Sequence, residues 1–394
     1  MRFQFLAGCP AGLVAVLSAL TLAACATRAP TATTPTATTP TMTGPAPSTG
    51  HHASVAPLHP SSPAHLAPDS PVRAAAFDDL PGWAEDDHVA ALAAFQSTCR
   101  AAQDPDLRGV CERAIDLGRT DERQARRFLE TNFRPEAVPE EGLLTAYFSP
   151  VYEARNMPEG DFTSPVRPRP ADLPAADWTA GAGAPYADRS EIEARPAPDA
   201  LAWMRPEDLF FLQIQGSGVL VYPGGTRVKA IFDGTNGARF RGIATPMREQ
   251  GLLADDNTSG EAIRAWLSQH QGPRATAVMQ INPRYVFFRL GPDDGRDPAG
   301  AAGAPLIPGR TVAVDTSRHS LGELFWIDAS APVLAGAFPT YRRLTVALDA
   351  GGAIKGDARA DLYLGRGPEA GLAAGRVRHT LRLYRLAPIN APRS

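Results

Sequence analysis

Hydrophobic and polar positions divide the chain into an N-terminal helical part and a longer part dominated by short strands. The apolar run 344–348 leads into Asp349, the pair Gly351-Gly352 and Lys355, and Asp361 then opens a second run, Leu362-Tyr363-Leu364. That pattern predicts strand, tight loop, strand, with carboxylates where the loop meets the sheet. Runs at 311–315, 323–328 and 379–386 predict further strands, so the C-terminal part reads as a small barrel. Upstream, Asp86-Asp87 ahead of Val89, Leu92, Phe95 and Cys99 predicts an amphipathic helix with acidic residues at its N-terminus. Thr120 is expected to cap a second helix carrying Phe128 and Leu129 on its apolar face and ending at Arg134-Pro135.

Between these regions, 143–153 predicts a strand broken at Pro150, and 155–206 is rich in Pro, Ala and Asp and predicts loop, with a short helix near 189–194. The stretch 208–215 passes from an apolar run to alternation. It predicts a strand with Gln213 and Gln215 on one face and Leu212 and Ile214 in the core. Two side-by-side carboxamides can donate to and accept from sugar hydroxyls and amides, although a solvated sheet face gives the same pattern. The turn Gly216-Ser217-Gly218 is not a phosphate loop, because another strand follows it. The runs 219–222 and 227–232 flank Pro223-Gly224-Gly225 as a hairpin, Ser259 caps a helix with Ile263, Trp266 and Leu267, and 279–289 is a turn into an aromatic strand. A loop at 291–303 marks a boundary.

The first residues are not part of this fold. Arg2 precedes the apolar stretch 13–22, which is of signal-peptide length and too short to span a bilayer. It ends Leu22-Ala23-Ala24-Cys25, which resembles a bacterial lipoprotein box in which the cysteine becomes the lipid anchor. An ordinary secretory signal with a chance cysteine is the other reading. Ala26 in place of an aspartate resembles the outer-membrane pattern. Residues 26 to about 75 are rich in Pro, Thr, Ala and Ser and predict a disordered tether.

Composition narrows the function. The chain has 394 residues and a net charge of −3, enough for one large or two ordinary domains and without the basic excess that nucleic-acid binding demands. With Cys9 in the signal and Cys25 at the anchor, Cys99 and Cys111 remain; export permits a disulfide between them, and two separate buried thiols are the alternative. No Cys/His cluster has metal-ligand spacing, and no metal or other cofactor is expected. Lys229 and Lys355 are the only lysines, and Lys355 lies within the Asp349–Asp361 stretch.

Taken together, five segments resemble the membrane-bound lytic murein transglycosylase A family. They are Thr145-Ala146-Tyr147-Phe148-Ser149-Pro150, Phe210 to Gly218, Asn282-Pro283-Arg284-Tyr285-Val286-Phe287-Phe288, Ala313-Val314-Asp315, and the Asp349–Asp361 stretch. The resemblance implies a mainly β fold with N-terminal packing helices. A three-aspartate double-psi β-barrel would be separated by a substrate cleft from an inserted β domain. The implied layout is a signal at 1–24, anchor and tether at 25–75, helices and first barrel strand at 76–150, inserted domain at 151–290 and barrel at 291–394. The three aspartates would be Asp315, Asp349 and Asp361, with Asp361 catalytic and Asp349 supporting it. Substrate would be held by Thr145, Tyr147, Gln213, Gln215, Ser217, Asp315 and Lys355. The implied activity is non-hydrolytic cleavage of the glycosidic bond between N-acetylmuramic acid and N-acetylglucosamine in peptidoglycan. The expected protein is a monomer on the periplasmic face of the outer membrane, acting on glycan strands, with cell-wall synthesis proteins as further candidate partners and no nucleic acid. A non-catalytic peptidoglycan-binding lipoprotein is the alternative reading.

Overall fold

In the computed structural model, the described residues are 73–102, 104–173, 186–255, 257–331 and 337–389. The signal, Cys25 and the tether up to residue 72 lie outside them; the last tether residues, Arg73–Ala74, instead form a strand paired with Phe133–Ala137. The described chain opens with β1 (Arg73–Ala74), α1 (His88–Thr98), α2 (Pro105–Leu117), α3 (Glu122–Asn132), β2 (Phe133–Ala137) and β3 (Gly142–Ser149). There follow β4 (Val151–Glu153), β5 (Ser164–Val166), α4 (Arg189–Glu193), β6 (Ala202–Met204), α5 (Pro206–Gln215), β7 (Gly218–Val221) and β8 (Arg227–Thr235). Then come α6 (Ala244–Glu249), α7 (Gly260–Gln269), α8 (Pro273–Met279) and β9 (Val286–Pro292). The chain ends in β10 (Thr311–Val314), β11 (Leu324–Ser330), β12 (Thr340–Ala350), β13 (Arg359–Arg366), α9 (Gly367–Ala374) and β14 (Arg378–Pro388).

Six strands close a barrel in the order β14-β11-β12-β10-β13-β3, because β3 pairs with β14 as well as with β13. Two of its pairings, β10–β12 and β13–β3, are parallel. Strands β10 and β11 read as continuous apolar runs because both faces are covered, whereas β14 alternates exposed and buried residues over its first half. On β11, Phe325 and Ile327 join the cluster with Val312, Ala347 and Leu362, while Leu324 and Trp326 pack outward against Trp83, Leu92 and Phe95 of the helical layer. The chain leaves the barrel after β3 and builds a second sheet, β4-β7-β8-β9, before returning through β10. That sheet packs on Leu209 and Leu212 of α5, whose Phe210 meets Met247, Leu267 and Met279 of α6, α7 and α8.

The N-terminal layer is fastened by one buried ion pair and one disulfide. Asp87 caps α1 by accepting the Ala90 amide at 2.8 Å, which leaves Asp86 turned inward. There both oxygens of Asp86 receive the Arg310 guanidinium at 2.8 and 2.9 Å, and one also accepts the Leu344 amide at 3.0 Å. Cys99 and Cys111 form a disulfide with a Cα–Cα separation of 5.5 Å; closing so short a loop contributes about 3 kcal/mol.

Several elements differ from the sequence expectation. The stretch expected as a strand at 208–215 is helix α5: Pro206 opens it, Glu207 and Asp208 sit in its first turn, and Gly216 at φ 81° ends it. Leu212 is buried as expected, whereas Ile214 is 38% exposed. Asp121, not Thr120, caps α3, through a reciprocal pair in which Gln124 returns a bond to the Asp121 amide. Arg134 and Pro135 do not merely end that helix; they lie in β2. Helices α2 and α8 appear where no helix is expected from the sequence.

Removing Asp86 would leave the Arg310 charge buried without its partner. Asp86→Ala is expected to lower stability by about 3–5 kcal/mol, read as a fall in the urea midpoint; an unchanged midpoint would mean that the pair does not hold the helical layer.

Candidate functional site

Strand register assembles the site. Ala313 on β10 pairs with Asp349 on its parallel side and with Asp361 on its antiparallel side, and Asp361 in turn pairs with Thr145 on β3. Residues directly opposite one another across a sheet project from the same face. Asp349, Ala313, Asp361 and Thr145 therefore form one row, with a methyl side chain between the two carboxyls. The row depends on a bulge. Val312 pairs with Ala347 and Ala313 with Asp349, so Leu348 is an extra residue on β12. In unbroken register Leu348 would oppose Ala313 and Asp349 would project from the other face. The displaced Leu348 carbonyl accepts the Ala302 amide at 2.9 Å. A Cβ on Gly300 would lie 2.4 Å from that same oxygen, so the covering loop needs glycine there.

The two carboxyls are then held differently. Asp349 accepts three hydrogen bonds: Oδ1 takes the Ala301 amide at 3.0 Å and the Ala350 amide at 2.9 Å, and Oδ2 takes the Tyr147 hydroxyl at 2.7 Å. Among the described residues, Asp361 accepts only the Thr145 hydroxyl, on Oδ1. Arg359 donates to that Thr145 oxygen at 2.8 Å, which directs the hydroxyl proton toward Asp361. Asp361 Oδ2 has no hydrogen-bond partner among the described residues. Burial pushes both carboxyls above their ordinary range. Three donors oppose this in Asp349, whereas in Asp361 Thr145 and Arg359 oppose it and the Asp349 charge adds to it. Burial, and then Asp349, push the Tyr147 phenol well above its usual range, so it remains a proton donor.

The row opens onto a cleft of about 1010 Å³. Thr145, Tyr147, Asp349 and Asp361 line it from the barrel, and Gln213, Gln215, Ser217 and Arg284 line it from the opposite side. The sequence expectation therefore places Gln213, Gln215 and Ser217 on this wall, but on a helix end and turn instead of a strand face. Their hydrogen bonding also differs from a sugar-facing pair. Gln213 is buried and its amide reaches the Val286 carbonyl at 3.4 Å, while Gln215 accepts the Phe148 amide at 3.1 Å and so ties the end of β3 to α5.

Asp315 and Lys355, expected to hold substrate, are not on the cleft wall. They bond to each other at 3.2 Å, and Asp315 also accepts the Gly356 amide at 2.9 Å and both the amide and hydroxyl of Ser317. Burial alone would raise the Asp315 carboxyl; the Gly356 amide, Ser317 and Lys355 instead hold it at about 2. This is a fastening for the loop between β12 and β13, which carry the two cleft aspartates. Arg359 and the Ala301 amide belong to the site and have no sequence signal of their own; a basic residue two positions before Asp361 is the one hint. Among the described residues, no cluster of three or more His, Cys, Asp or Glu side chains could hold a metal ion.

Known proteins share this fold. The family profile described as the MltA specific insert domain matches residues 143–289, and the 3D domain profile matches 310–387. Membrane-bound lytic murein transglycosylase A of Vibrio cholerae is 32% identical over 257 residues, covering 64% of this chain; the match spans 66% of that relative, just under two thirds of its length. Among solved structures, a membrane-bound lytic murein transglycosylase from Agrobacterium tumefaciens is 31% identical with a TM-score of 0.70, covering 81% of this chain and 98% of that one. Escherichia coli MltA with bound chitohexaose is 27% identical with a TM-score of 0.61, covering 78% of this chain and 91% of that one. On these matches, the chain belongs to the membrane-bound lytic murein transglycosylase A family.

Proposed function

We propose that this protein cleaves the bond between N-acetylmuramic acid and N-acetylglucosamine in peptidoglycan without water, leaving 1,6-anhydromuramoyl ends. The observation that carries the reading is the inequality of the two carboxyls lining the cleft: Asp349 has both oxygens hydrogen-bonded, whereas Asp361 Oδ2 has no partner among the described residues. Hydrolysis of a glycoside ordinarily needs two working carboxyls, one to protonate the leaving oxygen and one to serve the nucleophile. Here the muramoyl C6 hydroxyl is the nucleophile, already tethered to the sugar whose C1 it attacks. Asp361 can then act twice. As an acid it gives its proton to the departing glycosidic O4; as a carboxylate it takes the proton from the C6 hydroxyl as the C1–O6 bond forms. Atoms balance without water, and Asp361 ends protonated again.

The surroundings support each half-step. A raised carboxyl supplies the acid, and the Thr145 hydroxyl, itself held by Arg359, stabilises the anion that remains after proton transfer. The Asp349 charge raises the Asp361 carboxyl further, and two amides and a phenol oppose the burial that raises Asp349 itself. Asp349 also places negative charge near the positive charge that develops at the sugar ring. Glycan strands are the substrate. The attachment we propose is a lipid on Cys25, holding the enzyme by its 26–75 tether on the periplasmic face of the outer membrane.

Asp361→Asn is expected to lower the yield of anhydromuropeptides from purified sacculi by roughly a thousandfold, measured by mass spectrometry. An unchanged yield would sink the assignment. Wild-type products with reducing ends carrying solvent oxygen would indicate a hydrolase, and intact glycan would favour a non-catalytic binder. The same substitution separates chemistry from folding. A carboxyl whose folded-state pKa lies above the unfolded value favours the fold below the unfolded value, and that benefit is lost as pH rises through the folded one. Asparagine removes the penalty of ionising a buried group, so the variant should melt above wild type at neutral pH, with the gap narrowing as pH falls through the raised pKa and levelling off below about pH 4. A lower neutral-pH melting temperature would contradict the raised pKa.

A second test concerns pH. Activity requires protonated Asp361, so kcat/KM should fall as pH rises through its pKa. Removing the neighbouring charge with Asp349→Asn lets Asp361 ionise more readily, and the alkaline limb should move to lower pH. A limb that stays in place would separate Asp349 from the acid.

A further inference from the structure

Arg284 is a half-buried cleft cation that the scheme above leaves idle. Its guanidinium offers five N–H donors, yet its sole side-chain bond is to the Ala238 carbonyl at 3.3 Å, and it forms no ion pair among the described residues. The other cations near the site are engaged: Arg189 with Glu193, Lys229 with Asp294, Arg366 with Asp293 and Arg359 with Thr145. Arg289 and Arg296 are solvent-exposed. Arg284 is half-buried, and a partly desolvated cation with unused donors is costly until an anion meets it.

Its position is also prepared. The Arg284 amide bonds to Asn282 Oδ1 at 3.2 Å, its carbonyl accepts Arg189 at 2.6 Å, and the preceding Pro283 carbonyl accepts Asn236 at 2.9 Å. From this fixed backbone the guanidinium crosses to the barrel side, where a Cβ on Gly352 would lie 3.3 Å from its Cζ. Arg284 thus lies against the loop immediately after Asp349, in the same cleft as the two aspartates.

We propose that Arg284 is a specificity residue that binds a carboxylate on the muramoyl unit and gives the cleft its preference for acidic glycan over neutral glycan. The inference rests on the peptidoglycan reading. Every muramoyl residue carries a lactyl substituent at O3, which ends in a carboxylate when bare and in an acidic peptide stem when substituted. Either anion, once partly desolvated in the cleft, needs a countercharge. A planar fork with free donors suits a carboxylate better than a point charge does.

The test compares three substrates: glycan strands stripped of stems by an amidase, the same strands with lactyl carboxyls coupled to methylamine, and stem-bearing strands. Wild type should prefer carboxylate-bearing strands over the neutral amide. Arg284→Gln should reduce that preference about tenfold, through KM more than kcat, and Arg284→Lys should fall between the two. A loss on stripped strands assigns the lactyl carboxylate, and a loss confined to stem-bearing strands assigns the stem. A preference equal to wild type in both variants overturns the proposal, and Arg284→Lys decides it if the glutamine variant does not fold. Equilibrium binding of the same strands, measured in the Asp361→Asn background, reads the preference even if wild type yields no anhydro products. Failure of the cleavage reading and failure of this one are thereby distinguishable.

Discussion

The extra residue at Leu348 is the constraint on which the site depends. A β-strand alternates its side chains between faces, so a single-residue shift decides whether Asp349 faces the cleft beside Asp361 or the opposite side of the barrel wall. The bulge is stabilised by what covers it. Its carbonyl is taken by the Ala302 amide, Gly300 permits the close approach, and the neighbouring Ala301 amide bonds the carboxylate that the bulge has re-aimed. One local irregularity therefore both orients Asp349 and brings a donor to it. The effect is to make two similar aspartates chemically unequal, which is how a pair of carboxyls acquires separate roles.

Keeping two carboxyls partly out of water opposes folding, and the barrel around them is built to withstand it. Strands β10 and β11 are buried on both faces, and Asp86 and Arg310 lock the helical layer to β10 and β12. The loop between β12 and β13 would otherwise be the loosest part of the site, and Asp315 fastens it through Lys355, Ser317 and the Gly356 amide. Groups held on strands with locked supports keep their geometry better than groups on free loops. Asp315 thus serves the site without reaching the cleft.

The barrel strands and both cleft aspartates were legible in the sequence because continuous apolar runs mark strands covered on both sides, as at 324–327 and 344–348. Helix α5 was not. In 208–215 the alternation of Leu212 to Gln215 competes with the helical spacing of Leu209 and Leu212, and the bracketing Pro206 and Gly216 were the deciding signals. Similar signals, Asp104 before Pro105 and Gly272 before Pro273, stood at the starts of α2 and α8. The bulge itself had no residue-level mark, since Leu348 is an ordinary core leucine whose displacement depends on Gly300 far upstream. Nor could the Arg359–Thr145–Asp361 relay be read, because barrel closure through the parallel β3–β13 pairing is what joins its ends.

The cleft also needs its two walls at a fixed separation, and the segment leaving the second sheet supplies a device for this. Asp293, just after β9, bonds Arg227 of β8 at 3.0 Å with one oxygen and Arg366 at the end of β13 at 2.7 Å with the other. Burial alone would raise this carboxyl, but the two guanidiniums and the Gly295 amide hold it at about 2, so it is ionised at neutral pH. A single carboxylate thus links the wall that carries Arg284 to the wall that carries Asp361. Because a general acid acts only within hydrogen-bonding reach of the oxygen it protonates, an ångström of play between those walls would matter more than the strength of any one contact. Asp361 keeps a lightly bound carboxyl between these supports, while Asp293, Asp315 and Asp349 each take several hydrogen bonds that hold the framework still.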